Sequence, residues 1–148
     1  MLYLGADHRG FVLKEFLKGH LAGGAVAFED LGDSILVPDD DYVDYAISVA
    51  RAVVADSSNR GILICGSGIG MAVAANKVRG VRAGLVTDPQ QAVAARTEDD
   101  TNVLVLDADL TTPDRAAELV DQWLDTPFSG LERHVRRLEK IKKLEAKS

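Results

Sequence analysis

The chain has one cysteine, Cys65, in 148 residues. An intrachain disulfide is therefore impossible, and a cysteine-based metal site is disfavoured for want of a second thiol. Long apolar runs are missing as well, and none approaches the roughly 20 residues that a membrane helix requires. The opening residues Met1-Leu2-Tyr3-Leu4-Gly5 lack a basic segment followed by a long apolar one, so no secretory signal is expected. Nor is there an excess of positive charge. Seventeen Lys and Arg stand against 23 Asp and Glu, a formal net charge of -6 that does not favour a nucleic-acid partner. There is no internal repeat and no low-complexity linker. These absences leave a single domain over residues 1–148, long enough for a proper core, and the expectation is a cytoplasmic enzyme or binding protein.

What is present is a regular alternation of short apolar runs and amphipathic segments. Leu2–Gly5, Ala25–Leu31, Gly61–Cys65, Val81–Val86 and Asn102–Leu106 read as strands. Leu13, Phe16, Leu17 and Leu21 recur at helical spacing, which predicts a helix over 11–22 closed by Gly23-Gly24. Tyr42, Ala46, Val49, Ala50 and Val53 predict a second helix over 42–56, and 69–78 reads as a third. Asp88-Pro89 and Thr112-Pro113 start two more, because proline is tolerated in a first helical turn and Thr is a good cap. Residues 131–146 form a last helix with Leu131, Val135, Leu138 and Ile141 on one face and many Lys and Arg elsewhere. That stripe either closes the monomer's own core or packs on a second subunit. Strands alternating with helices imply a doubly wound, Rossmann-like α/β fold, a five-stranded parallel sheet covered on both faces. Ligands in such folds sit outside the carboxyl ends of the strands.

Three segments fall there: Asp7-His8-Arg9-Gly10, Cys65–Gly70, and the turn after Val86. The glycine turn Gly66-Ser67-Gly68-Ile69-Gly70 is not a dinucleotide fingerprint, since the third glycine would fall at Met71. No Gly-Lys-Ser/Thr follows, which excludes a P-loop, and a nucleophile elbow around Ser67 would need glycines at 65 and 69. A generic oxyanion or phosphate cradle remains, beside a tight turn with no further role. Cys65 is either an inert buried thiol or a nucleophile or base, and a helix N-terminus next to a thiol favours the latter. Asp7 either caps the following helix or binds a ligand, with His8 correspondingly solvated or functional. Arg133 and Arg137, four apart on one helical face, can reach one anion together or form a solvated basic face. Asp39-Asp40-Asp41 reads as a solvated loop, because consecutive side chains diverge and no histidine is nearby in sequence.

Taken together these residues resemble the type B ribose-5-phosphate isomerase family, which also includes the galactose-6-phosphate isomerase subunits. The resemblance runs through Gly5–Lys14, Asp41–Ala46, Gly61–Arg82 and Arg133–Arg137, nearly the whole chain. It implies interconversion of an aldose phosphate and a ketose phosphate through a cis-enediolate, with no metal and no cofactor. Cys65 matches the family's base, Ser67 a residue that helps position the reacting end, and the 66–70 turn with Gly66, Gly68 and Gly70 can receive charge developing on oxygen. Asp7 and His8 match groups that hold sugar hydroxyls or phosphate, and Arg133 and Arg137 match phosphate arginines. The family's sites lie between two subunits, so a homodimer or tetramer is implied.

The departures are local. Where the family reads close to Glu-His-Asn-Asp-x-Asn, this chain has Thr97-Glu98-Asp99-Asp100-Thr101-Asn102, so Glu98 and Asp99 replace the ring-opening histidine and its asparagine neighbour. After the fifth strand the family often has Gly-x-Arg, and here Asp107-Ala108-Asp109 stands instead. Arg9 occupies a position that is usually small. An unpaired carboxylate near a phosphate is repulsive by about 1 kcal/mol at 4 Å in water. Three outcomes are open: Glu98 serves as ring-opening acid or base with Arg9 supplying the lost positive charge, the substrate is another pentose or hexose phosphate, or the chain is a non-catalytic sugar-phosphate-binding relative.

Overall fold

The computed structural model describes residues 1–148. Five strands, β1 (Leu2–Ala6), β2 (Phe28–Asp30), β3 (Arg60–Cys65), β4 (Ala83–Leu85) and β5 (Val103–Asp107), form one parallel sheet in the order β2-β1-β3-β5-β4. Six helices connect or follow them: α1 (Phe11–Gly23), α2 (Tyr42–Val54), α3 (Ile69–Ala75), α4 (Pro89–Thr97), α5 (Pro113–Asp125) and α6 (Glu132–Ala146). The doubly wound α/β architecture expected from the alternation is the one observed.

Period-two alternation along the strands divides the core into two. Leu2, Leu4, Ile62, Ile64, Leu104 and Leu106 face α1, α4 and α5, where Leu17, Leu21, Leu119, Val120 and Trp123 complete one buried cluster. Leu63, Cys65, Val103 and Val105 face α2 and α3, packing on Val49, Ala50, Val53, Met71 and Ala75. Burying both faces is why the central strands read as continuous apolar runs rather than alternating ones. The chain leaves β1 toward β2 on one side and returns to β3 on the other. The crevice at the carboxyl ends of β1 and β3 is therefore the topological switch point.

The helix starts follow their caps. Asp88 accepts the N–H of Gln91 at 3.0 Å ahead of Pro89, and Thr112 Oγ1 accepts that of Arg115 at 3.3 Å ahead of Pro113. Two strands are shorter than their apolar runs. β2 begins three residues late because Gly24, Ala25 and Val26 donate back to the end of α1, with Ala25 at φ 56°. β4 loses Val81, whose N–H turns back to Val78, and its outer edge is closed by the Asn76 amide, which bonds both the N–H and the C=O of Ala83.

α6 does not close the core of its own protomer. Only His134 is buried in it, while Leu131, Val135, Ile141 and Leu144 are 41–68% exposed. Polar ties hold the helix across the amino ends of the strands: Ser129 N–H to Thr97 C=O at 3.2 Å, Ser129 Oγ to His134 Nδ1 at 2.6 Å, and Gly80 N–H to Glu145 Oε1 at 3.1 Å.

Candidate active site

The two loops at the switch point are built around each other. Cys65 ends β3, and its Sγ, 5% of the residue being exposed, accepts the N–H of Gly68 at 3.2 Å. Gly68 reaches that position only with φ 76°, and a Cβ there would meet Leu85 Cδ1 at 2.5 Å. The left-handed φ is what calls for glycine here. Ser67 is exposed, and its Oγ accepts the N–H of Ile69 at 3.3 Å. The N–H groups of Ser67 and Gly70 have no acceptor within the protomer, so the turn presents free donors beside the sulfur. The loop after β5 is stitched on by Ala108 N–H to Cys65 C=O at 2.9 Å and Asp109 N–H to Gly66 C=O at 3.0 Å.

Arg9 and Asp109 meet over this turn. Arg9 donates through Nη2 to Asp109 Oδ2, and the guanidinium lies where a Cβ on Gly66 would be. The carboxylate that replaces the family arginine is therefore paired, and the bare repulsion expected of it is met by Arg9. Asp7 does not cap α1 as one of its two readings expected: its Oδ1 accepts the N–H groups of Arg9 and Gly10, both at 3.0 Å, and the residue is 5% exposed. It closes the turn ahead of α1 rather than the first turn of the helix itself, whose N-cap is Gly10.

His8 is tied to the acidic loop. Asp40 Oδ1 lies 2.8 Å from both the backbone N and the ring Nδ1 of His8. The expectation of a solvated Asp39–Asp41 loop without a histidine neighbour is thus corrected at Asp40, whose side chain is 10% exposed. Sequence distance misled here: 32 residues separate the pair. The bond from Asp40, with support from Asp7 and Asp39, raises the His8 pKa above its ordinary value. Burial opposes ionisation of Asp40, but the His8 and Tyr45 hydrogen bonds outweigh it and hold its carboxyl below the usual range. Asp7, His8 and Asp40 also offer three oxygen and nitrogen atoms within 4.8 Å of one another, of which those of His8 and Asp40 are hydrogen-bonded.

The remaining candidates lie at the other end of the sheet. Glu98 and Asp99 are exposed at the end of α4, just before β5 begins. Arg133 and Arg137 project from α6, both exposed. Cys65 pairs in register with Asp107, and Gly61 with Val103. Four residues of strand rise therefore part the two edges, roughly 13 Å at about 3.3 Å per residue. The structure brings Cys65, Ser67, the glycine turn, Asp7, His8 and Arg9 together and leaves Glu98, Asp99, Arg133 and Arg137 on the opposite edge. Hollows of about 410 and 440 Å³ lie beneath α6, lined in part by Arg82 and Ile141, and neither includes Cys65.

Fold and site together define a doubly wound α/β protein with a lone thiol under a glycine turn at its switch point. The chain belongs to the Ribose/Galactose Isomerase family, whose model matches residues 2–141. It is 41% identical over 140 residues to the probable ribose-5-phosphate isomerase B of Mycoplasma pneumoniae, covering 95% of this chain and 91% of that one. To the Escherichia coli ribose-5-phosphate isomerase B it is 39% identical over 141 residues, covering 95% and 93%. The structure of the Mycoplasma genitalium enzyme with bound ribulose-5-phosphate superposes with a TM-score of 0.95 at 39% identity, covering 99% and 97%. No helix is long and apolar enough to cross a membrane.

Proposed function

We propose that the chain is an aldose–ketose isomerase that interconverts ribose 5-phosphate and ribulose 5-phosphate through a cis-enediolate, in the cytoplasm. The observation that carries the reading is the Cys65 sulfur held at the switch point by the Gly68 N–H, with free N–H groups beside it. The Cys65 thiolate takes the proton from C2 of the open-chain aldose. The carbonyl oxygen at C1 gains negative charge and is received by the N–H groups of the 66–70 turn. The hydroxyl proton of O2 passes to O1 within the cis-enediolate, and the proton held by Cys65 is delivered to C1, which leaves the carbonyl at C2 and returns Cys65 to the thiolate. Ser67 positions the reacting end, and His8 and Arg9 hold hydroxyl or phosphate oxygens from the β1 loop. Asp7 keeps that loop folded.

A single protomer cannot supply the rest. Glu98, in place of a ring-opening histidine, and Asp99, Arg133 and Arg137 reach Cys65 only from a second copy of the chain. Charge and exposure support such an assembly. Residues 131–148 carry seven Lys and Arg against three Asp and Glu, net +4, which leaves -10 on the remainder. The exposed apolar stripe of α6 and the exposed Tyr42, Val43, Ile69 and Val73 on the α2 and α3 side are faces that a partner would cover. A homodimer, or a tetramer of such dimers, completes each site with phosphate held by Arg133 and Arg137 of the other copy.

Purified protein converting ribose 5-phosphate to ribulose 5-phosphate, followed by ketose absorbance, tests the reading. Turnover that survives Cys65→Ala would remove Cys65 as the base. Turnover of only another pentose or hexose phosphate would transfer the same chemistry to that substrate. Binding without any turnover would make the chain a sugar-phosphate-binding relative.

A further inference from the structure

The loop between β2 and α2 is irregular, and its tip, Ile35–Asp39, is exposed. Asp40 leaves solvent directly after Asp39, which takes a left-handed φ of 60°. Its two oxygens are then fully engaged. Oδ1 accepts the backbone N–H of His8 and faces its Nδ1, both at 2.8 Å, while Oδ2 lies 3.0 Å from the Tyr45 hydroxyl. Tyr45 also lies 2.5 Å from Asp33 Oδ2, and Asp33 accepts Lys14 Nζ through its carbonyl at 2.8 Å. A line of contacts therefore runs from buried Lys14 through Asp33, Tyr45 and Asp40 to His8. Nothing in the chemistry described above uses its inner members.

We propose that Asp40 is a positioning residue for His8: it holds the ring by Nδ1–H, so that Nε2 is the atom presented to the substrate, as an N–H donor to an anionic oxygen while the ring is protonated. The inference rests on the isomerase reading only for the identity of that ligand. A carboxylate facing Nδ1 fixes which nitrogen keeps the proton when the ring is neutral. Nε2 has no protein acceptor within the protomer. In the neutral ring Nε2 is a lone pair, which repels a phosphate or enediolate oxygen. In the charged ring it is a donor, and a charge-assisted one. The charged and titratable groups around His8 are Asp40, Asp7 and Asp39, all of which favour the cation, and the neighbouring Arg9, which is itself paired with Asp109. Tyr45 and Asp33 stand behind Asp40. Asp40 thus couples the β2–α2 loop to the ligand-facing side of the β1 loop, and makes the hold on substrate depend on a proton.

The test uses the full-length protein labelled with nitrogen-15 at histidine, where only His8, His20 and His134 contribute signals. In the unaltered protein the neutral His8 ring is expected as the Nδ1–H tautomer, with a titration midpoint above the ordinary histidine value. A neutral Nε2–H tautomer would overturn the proposal without any variant. In Asp40→Asn, checked for folding by circular dichroism, the midpoint should fall; an unchanged midpoint would also overturn it. KM for ribose 5-phosphate should rise by about tenfold per pH unit above the His8 midpoint, and in Asp40→Asn that rise should begin at lower pH with kcat below the break largely kept. A change in kcat alone, with no displacement of the KM profile, would contradict a positioning role. If the His8 signals behave as expected but no sugar phosphate is turned over, the isomerase reading fails and the Asp40–His8 relation stands.

Discussion

The two ends of the sheet are built on different physical plans. At the carboxyl end, backbone and carboxylates do the organising. Asp7 and Asp107 accept N–H groups of their own loops, Asp40 accepts that of His8 from the β1 loop, and the Cys65 sulfur accepts Gly68. At the amino end, guanidinium groups do it. Arg82 and Arg96 converge on Asp100, which sits at φ 43°, and Arg82 also binds the carbonyls of Asp99 and Asp100. Arg60 nearby is held below its ordinary value, first by burial and then by repulsion from Arg96 and Arg82. One edge thus holds the thiol among acids, and the other an exposed basic helix with no core to cover. The difference teaches that each edge offers what the other lacks: the thiol and free N–H donors lie at one, the exposed arginines of α6 at the other. The thiol edge carries His8 and the paired Arg9 among its acids, and the basic edge has no thiol.

Substitutions at each edge should separate the two contributions. Cys65→Ala is expected to have the largest effect, lowering kcat by about 10²–10⁴-fold, the worth of a positioned acid–base group, with ribose 5-phosphate affinity nearly kept. Arg137→Ala, at the other edge, should instead raise KM by roughly 10–100-fold, as expected for loss of a hydrogen bond to a charged group. If Arg137→Ala lowered kcat and left KM alone, the division of labour between the edges would be wrong. Glu98→Gln should slow turnover of the ring-closed sugar more than that of the open-chain form, which stopped-flow with freshly prepared open-chain substrate distinguishes. Equal loss on both forms would exclude Glu98 from ring opening.

The next effect is on stability and belongs to the carboxyl edge alone. Lys14 is fully buried, with Nζ 2.7 Å from Asp30 and 5.2 Å from the Phe11 ring centroid. Asp30→Ala leaves that ammonium without its best partner and should cost about 3 kcal/mol in denaturant unfolding. Burial disfavours the Asp30 carboxylate, but Lys14, Lys18 and the Gly32 N–H outweigh it and lower its pKa. A carboxyl lowered on folding stabilises the protein above its unfolded pKa, so this contribution is present at neutral pH and is lost as pH falls below about 4. The smallest effect is at the basic edge. The exposed Arg136–Glu132 pair on α6 should be worth less than about 1 kcal/mol, so Arg136→Ala should leave unfolding nearly unchanged.

Much of this was legible in the residues. Helical spacing and the Asp-Pro and Thr-Pro starts located five of the six helices, because capping and periodicity act locally, while α3, read over 69–78, ends at Ala75. Strand ends were less legible, since Ala25–Ala27 is as apolar as a strand but Ala25 and Val26 donate back to the end of α1. Cys65 and the glycine turn stood out because strand, turn and helix are contiguous. Asp40 did not, because its partner His8 comes from a loop brought beside it only by the pairing of β1 with β2. The Arg9–Asp109 pair is the same kind of miss at a separation of 100 residues. The sequence offered Arg9 as a source of the lost positive charge without a partner, and the packing of the β1 and β5 loops on Gly66 pairs it with Asp109.

Mixing two defective proteins tests the division between the edges most directly. Cys65→Ala and Arg137→Ala, each purified and then dissociated and reassociated together, should regain activity, because half of the sites in a mixed dimer receive both intact residues. Random reassociation predicts about a quarter of unaltered activity. No recovery, with mixed oligomers demonstrated by native mass spectrometry, would contradict a site shared between the carboxyl edge of one copy and the basic helix of another.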